Sequence, residues 1–350
     1  MRDLGGVQVK AFVKTGYRPG EAGIKDVPVT DPGAGEVLLR VASCGICGSD
    51  VHAFRSDAGF EWVRTPVTLG HEFSGIVEAI GPGVTLVSPG DRVVAVAIQG
   101  CGRCAVCLAG STQLCPRRVA VGLSRDGGMA EYAVMPEQHL VPVPGGLDLT
   151  VAALGEPLSV AVHAVNGRAD IEPGQKVVVS GPGPIGILCG MLARLNGAEV
   201  LLTGVGQDSE SRLPAAERVG LWTANLGEKP LEEHLRQSFG EPAPDIWIES
   251  SGSVRALSSA LDSVRPGGTI IVVGIYAEEM SFSPTLAVRR ELSLLFSYSC
   301  DFADYQEALD LLRRGAIDPG PLLSQYPLEG APEAFEAVGK GRAVKAILIP

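Results

Sequence analysis

The chain has 350 residues, with 29 Lys+Arg against 40 Asp+Glu for a formal net charge of −11, and 45% of it is hydrophobic. That length accommodates two domains of roughly 100 to 200 residues, each with its own core. The acidic balance, with no Lys/Arg run longer than two, excludes a phosphate-backbone partner. The longest apolar stretch, Val151 to Val165, is interrupted by Glu156, and MRDLGGVQVK has no export h-region. The expectation is a cytoplasmic protein with neither a membrane nor a nucleic acid as partner.

From residue 1 to about 150 short β-rich runs stand between Gly/Pro punctuation: VQVKAFV, EVLLRVA, SGIVEAIG, DRVVAVAI and AEYAVM. They predict a barrel-like β domain. Between the second and third runs lies CGICGSDVH, with Cys44 and Cys47, and 24 residues after Cys47 comes GHE, with His71 and Glu72. One thiolate, one imidazole and one carboxylate make three ligands of the kind that leave zinc an open fourth position. A lone Cys and a lone His pair by chance in many chains, so this set draws its weight from its surroundings.

The fourth run is followed by CGRCAVCLAGSTQLC, which holds Cys101, Cys104, Cys107 and Cys115 in a C-x2-C-x2-C-x7-C array. Four thiolates on a short glycine-bearing loop fit a closed tetrahedral zinc site. No ligand position is left for water, so such a zinc is structural. Cys189, in ILCGMLARL, reads as a buried apolar side chain.

After PLSVAVHAV the rhythm changes to strand then helix: KVVVSG, a helix from Ile185 to Asn196, EVLLTG, a helix near Ala215, DIWIES, a helix near Ala256, and TIIVVGI. Alternation of this kind implies βαβ units and a doubly wound parallel sheet. SLLFSY adds a strand, DYQEALDLLRRG a helix, and the chain ends on PEAFEAVGKG and the apolar AVKAILIP, a strand placed to return to the first domain. Between KVVVS and its helix sits GPGPIG. Gly181 serves a tight turn, Gly183 lets the backbone approach a pyrophosphate, and Gly186 allows close helix packing. Pro182 and Pro184 carry no N–H, which leaves the amides of Gly183, Ile185 and Gly186 for phosphate.

CGICGSDVH, GHEFSGIVEAIGPGVTLVSPGDRV, the four-cysteine lobe, GGMAEYAV, EPLSVAVHA, GPGPIG and RPGGTIIVVG follow one another from about residue 37 to 275. In this the chain resembles the zinc-dependent medium-chain alcohol and polyol dehydrogenases of the sorbitol, threonine and glucose dehydrogenase branch. The resemblance implies an α/β fold: a GroES-like β-barrel catalytic domain over 1–155, completed by about 300–350, and a Rossmann domain over 156–299, with the active site in the cleft between them. It implies a homodimer or homotetramer with two zinc ions per chain, and NAD or NADP as cofactor. It assigns Cys47, His71 and Glu72 to the catalytic zinc, leaves Cys44 to packing, and makes Glu156 a further carboxylate or a water-mediated contact. Ser49 and His52 match its proton relay, and Gly183, Pro184, Ile185, Gly204 and Gly274 fall on its coenzyme-binding segments.

The chemistry follows from physical rules. Zinc draws the pKa of a bound oxygen acid from ~16 toward ~7. Ser49 would accept the hydroxyl proton and hand it to His52, whose ordinary pKa lies near neutrality, while hydride passes to nicotinamide.

Two departures bear on specificity. Gly204 stands where an NAD-preferring strand ends in an acid, and Ser209, Ser211 and Arg212 follow as groups suited to a 2′-phosphate, with Asp208 suited to a ribose. The balance leans to NADP, and an acid installed at Gly204 is expected to move preference to NAD. Ala53 and Phe54 after CGSDVH, and Ser299 and Cys300 after SLLFSY, depart from the sorbitol dehydrogenase pocket. The substrate therefore stays open among secondary alcohols, polyols, sugars and amino alcohols, with threonine-type or glucose-type activity as alternatives. Two other classes compete: a catalytically silent dinucleotide-binding protein of this fold, and a regulatory zinc protein.

Overall fold

The computed structural model describes residues 7–350. The chain divides into two compact units, Met1–Glu156 with Asp301–Gly315 and Leu323–Pro350, and Pro157–Cys300 with Ala316–Leu322.

In the first unit, strands of alternating polarity bury one face. Val9 and Ala11 of Gln8–Lys14 are buried while Gln8 and Lys10 are exposed. The main sheet runs Leu140–Pro142, Arg92–Ala95, Glu72–Ile80, Glu36–Gly45, Lys345–Ile349, Leu323–Pro327, with Tyr132–Pro136 also paired to Glu36–Gly45. The C-terminal strand Lys345–Ile349 therefore lies inside this sheet, with Lys345 to Leu348 buried as a central strand requires. DRVVAVAI is not one strand: Arg92–Ala95 stays in the main sheet, and Ile98–Gln99 leaves it to pair with Val119–Ala120. Phe12, Phe73, Met129, Met135 and Phe335 contribute to the core.

The second unit carries a six-stranded sheet, every neighbouring pair parallel, in the order Trp222–Asn225, Glu199–Gly204, Lys176–Ser180, Ile246–Glu249, Thr269–Val272, Ser293–Phe296. Numbered by chain position this is 3-2-1-4-5-6, the dinucleotide-binding order with its switch point between the first and fourth strands. The central strands read as continuous apolar runs because helices cover both faces. Both edge strands are partly exposed.

The apolar stretch around Glu156 corrects the sequence reading. Helical backbone over Leu149–Ala169 spans 21 residues and is by length and composition long enough to cross a membrane. Its most apolar 18-residue window is 67% buried within the protein, as in a core helix, and Glu156 within the span is itself buried.

Candidate active site and metal centres

Antiparallel pairing explains how residues far apart in sequence converge. Glu36–Gly45 pairs with Glu72–Ile80 so that Gly45 faces Glu72 and Cys44 faces Phe73. The first strand then leads through Ile46 into the helix Gly48–Arg55, whose N-cap is Cys47. His71 immediately precedes the second strand. Cys47, His71 and Glu72 thus each offer a ligand atom, all within 4.8 Å of one another. His71 and Glu72 are buried, whereas Cys47 is partly open to solvent.

Two residues that the motifs did not single out hold this cluster. Asp50, fully buried, accepts the Cys47 N–H through Oδ2 at 2.9 Å and places Oδ1 3.4 Å from His71 Nδ1. Neither Asp50 Oδ1 nor His71 Nδ1 has a hydrogen-bond partner of proper geometry. A carboxylate behind one imidazole nitrogen leaves the other, Nε2, for a metal. Burial alone would lower the His71 pKa, but the charges of Asp50 and Cys47 outweigh it and hold the ring well above its usual value. Such an excess of negative donors is what a divalent cation would neutralise.

Lys345 is the second. It is 2% exposed, donates from Nζ to the Ile46 carbonyl at 3.1 Å, and forms an ion pair with Glu72 Oε2. Its strand reaches this point because Ile347 pairs with Gly45. Glu156, also buried, stands outside the three-donor cluster. Burial raises its carboxyl to about 7, with His71 pulling it down and Glu72 pushing it up. Cys44 is buried, donates to the Gly45 carbonyl at 3.6 Å, and is pushed up by burial, as a packing thiol is.

Ser49 and His52 lie one turn apart on the helix Gly48–Arg55. His52 Nδ1 meets Asp57 Oδ2 at 2.7 Å and its ring stacks on Phe60 with centroids 5.2 Å apart.

Cys101, Cys104, Cys107 and Cys115 also converge, with sulfur–sulfur distances of 3.5, 3.8 and 4.0 Å. A tetrahedron with zinc–sulfur bonds of about 2.3 Å has edges of about 3.8 Å, so the spacing fits one ion and is far too long for disulfides. Arg117 N–H donates to Cys115 Sγ at 3.3 Å and its guanidinium to Cys101 Sγ at 3.1 Å. A backbone hydrogen bond from Arg103, with others beside it, lowers the Cys101 thiol to about 5. Burial raises Cys107 to about 11.

In the second unit Gly181 follows the first parallel strand at φ +97°, a region that disfavours any side chain, and a Cβ there would lie 2.8 Å from Ser251. A Cβ on Gly186 would strike the Gly181 carbonyl, whereas one on Gly183 meets nothing within 4 Å. The turn is therefore packed on its protein side and open where a pyrophosphate would approach the helix Pro184–Leu195, with Ile185 in its first turn. Gly274 follows the fifth strand.

The family model for the alcohol dehydrogenase GroES-like domain matches residues 33–145, and that for zinc-binding dehydrogenase matches residues 184–314. The chain belongs to the zinc-binding alcohol dehydrogenases.

Among this family, sorbitol dehydrogenase of Halalkalibacterium halodurans is 35% identical over 98% of this chain and 99% of its own. A zinc-binding dehydrogenase of Sinorhizobium meliloti 1021, solved bound to NADP, matches with TM-score 0.89 and 32% identity over 98% of this chain and 99% of its own. A short chain alcohol dehydrogenase of Escherichia coli CFT073, solved with NADH, matches with TM-score 0.89 and 26% identity over 99% of this chain and 100% of its own. The protein is accordingly a medium-chain zinc-type dehydrogenase, an oxidoreductase built from a GroES-like domain and a Rossmann-like parallel sheet.

Proposed function

We propose that this dehydrogenase oxidises a secondary hydroxyl of a polyol, sugar or amino alcohol, with Cys47, His71 and Glu72 holding its catalytic zinc. The observation that carries the reading is the convergence of one thiolate, one imidazole and one carboxylate within 4.8 Å. Bound there, zinc would supply Lewis acidity toward a substrate oxygen, and a nicotinamide coenzyme would supply the hydride acceptor. The chain's own groups do the rest. Asp50 fixes the His71 ring, Lys345 balances the charge of Glu72, and Glu156 acts from just outside, through water. Ser49 receives the hydroxyl proton, and His52, oriented by Asp57 at Nδ1, passes it outward through Nε2. The four-cysteine lobe holds a second, structural zinc.

The lean to NADP rests on the segment after the second parallel strand. Asp208, the first acid beyond it, is 5% exposed, accepts the Val205 N–H at 3.0 Å and lies 3.4 Å from Arg212 Nη1. That carboxylate is committed to the protein instead of a ribose. Arg212 keeps a buried Nε without a hydrogen-bond partner, and Ser209, whose hydroxyl donates to the Gly206 carbonyl at 2.6 Å, is exposed beside it. The structure alters one expectation. A Cβ on Gly204 would press within 3.0 Å of both Leu213 and Pro182, so Gly204→Asp mixes crowding with charge. Arg212→Ala is the cleaner variant and should weaken NADP more than NAD.

Exposed Phe296, Val288 and Ile275 on and beside the edge strand Ser293–Phe296 support a homodimer or homotetramer. Reduced lobe thiols support a cytoplasmic setting. The deciding experiment is a panel of secondary alcohols, polyols, sugars and threonine with NAD and NADP, followed by reduced-coenzyme absorbance. Turnover of one class supports the proposal. Coenzyme binding without turnover across the panel sinks it in favour of a silent dinucleotide-binding protein.

A further inference from the structure

The fourth strand of the parallel sheet ends on Glu249, which is fully buried. Its carboxylate is ringed by donors. Oε1 accepts from the Ser251 N–H at 2.8 Å, from the Ser251 hydroxyl, and from Ser180 Oγ at 3.4 Å. Oε2 accepts from the Gly252 N–H at 3.2 Å and from the Tyr276 hydroxyl. Among the described residues no Lys, Arg or His forms an ion pair with it, so the charge is satisfied by dipoles and not cancelled.

The place of Glu249 in the sheet gives that charge a use. Ser180, last in the first strand and adjacent to the fingerprint, is its cross-strand neighbour, so Glu249 stands on the switch point. The Ser250 hydroxyl donates to the carbonyls of Ser180 and Gly181, tying the segment to the phosphate-binding turn. On the other side, a Cβ on Gly274 would lie 2.7 Å from Glu249 Oε2, and one on Gly252 would strike the Ile275 carbonyl. One carboxylate therefore ties Ser251 and Gly252 to Tyr276. In a dinucleotide fold the fingerprint and second strand serve the adenosine half, which assigns the fourth to sixth strands to nicotinamide.

We propose that Glu249 is a positioning residue that also selects the redox state of the coenzyme, its uncancelled negative charge favouring the cationic oxidised nicotinamide over the neutral reduced ring. This rests on the dehydrogenase reading above. Burial and the Glu249 carboxylate together hold the Tyr276 hydroxyl above its ordinary range, so the tyrosine stays a neutral donor to an anion. A charge acting on a cationic ring through the protein interior, at an effective dielectric of about 20, sets an effect on the order of tenfold to look for.

The test uses the purified zinc-loaded enzyme and measures dissociation constants for oxidised and reduced coenzyme separately, by calorimetry and by reduced-coenzyme fluorescence. Glu249→Gln keeps the shape of the carboxylate and removes its charge. The expected result is about tenfold weaker binding of oxidised coenzyme with reduced coenzyme changed by less than about threefold. Equal weakening of both forms would leave Glu249 a structural residue only and overturn the proposal. Tyr276→Phe provides an independent arm should Glu249→Gln not fold: it removes one shielding donor and keeps the charge, so preference for the oxidised form should hold or grow, and a fall would contradict the inference. Failure of the unaltered enzyme to bind either coenzyme would instead bring down the dehydrogenase reading, and this inference with it.

Discussion

Lys345 places an ammonium group in the protein interior, where the Glu72 carboxylate and the Ile46 carbonyl receive it. Removing one member of a buried pair strands the other, at a cost of about 3 to 5 kcal/mol. Lys345→Met should therefore lower unfolding free energy by that amount in a denaturant titration, and a loss below about 1 kcal/mol would show that the pair is dispensable. Asp50→Asn is milder. It keeps the Cys47 N–H contact and weakens the charge behind His71, so zinc affinity at this site should fall about 10- to 100-fold in a chelator competition, with the lobe zinc unchanged. The sequence offers Cys44, Cys47, His71 and Glu72 as zinc-ligand types, and it is the family resemblance that picks out Cys47 and leaves Cys44 to packing. The sequence conceals Lys345, which lies 273 residues from Glu72 and has an unremarkable neighbourhood. Asp50 was visible as a letter of CGSDVH, yet its role depends on a helix start that the motif does not spell out.

At the scale of elements, the helix Phe302–Arg313 is held at its start by Asp301, whose side chain accepts from the N–H groups of Ala303 and Asp304 while Asp304 answers the Asp301 N–H. Asp301→Ala should cost about 1 kcal/mol, read as a lower Tm with coenzyme affinity intact. The lobe is a different kind of element: on the proposed reading a bound ion would close it and contribute its folding free energy. Cys104→Ser should lower Tm and release the lobe zinc, whereas Cys47→Ser should leave Tm nearly unchanged and abolish turnover. Equal effects of the two on melting and activity would contradict this division. Elements with a strong period were legible: the strand Lys176–Ser180, the fingerprint and the helix after it fall within a residue of expectation, that helix being Pro184–Leu195 where Ile185 to Asn196 was read. Short elements were not. The helix Gly48–Arg55 and the edge strand Trp222–Asn225 carry weak patterns, because each takes its conformation from neighbours and not from its own residues.

Across the whole molecule, the change from short alternating strands to apolar strands separated by helices announced two architectures, and the sheet order 3-2-1-4-5-6 follows from the second. What the pattern did not convey was register. Only the pairing of Glu36–Gly45 with Glu72–Ile80 on one side and with the C-terminal strand on the other puts three donors and a lysine at one point. The central claim is that this point holds a zinc ion that catalysis needs and that the lobe holds another. Metal content per chain by plasma mass spectrometry tests it most directly, on the unaltered enzyme and on Cys47→Ser side by side. The account predicts two zinc ions in the first and one in the second, with dehydrogenase activity lost in step. A single zinc in the unaltered enzyme, or two zincs and full turnover in Cys47→Ser, would contradict it.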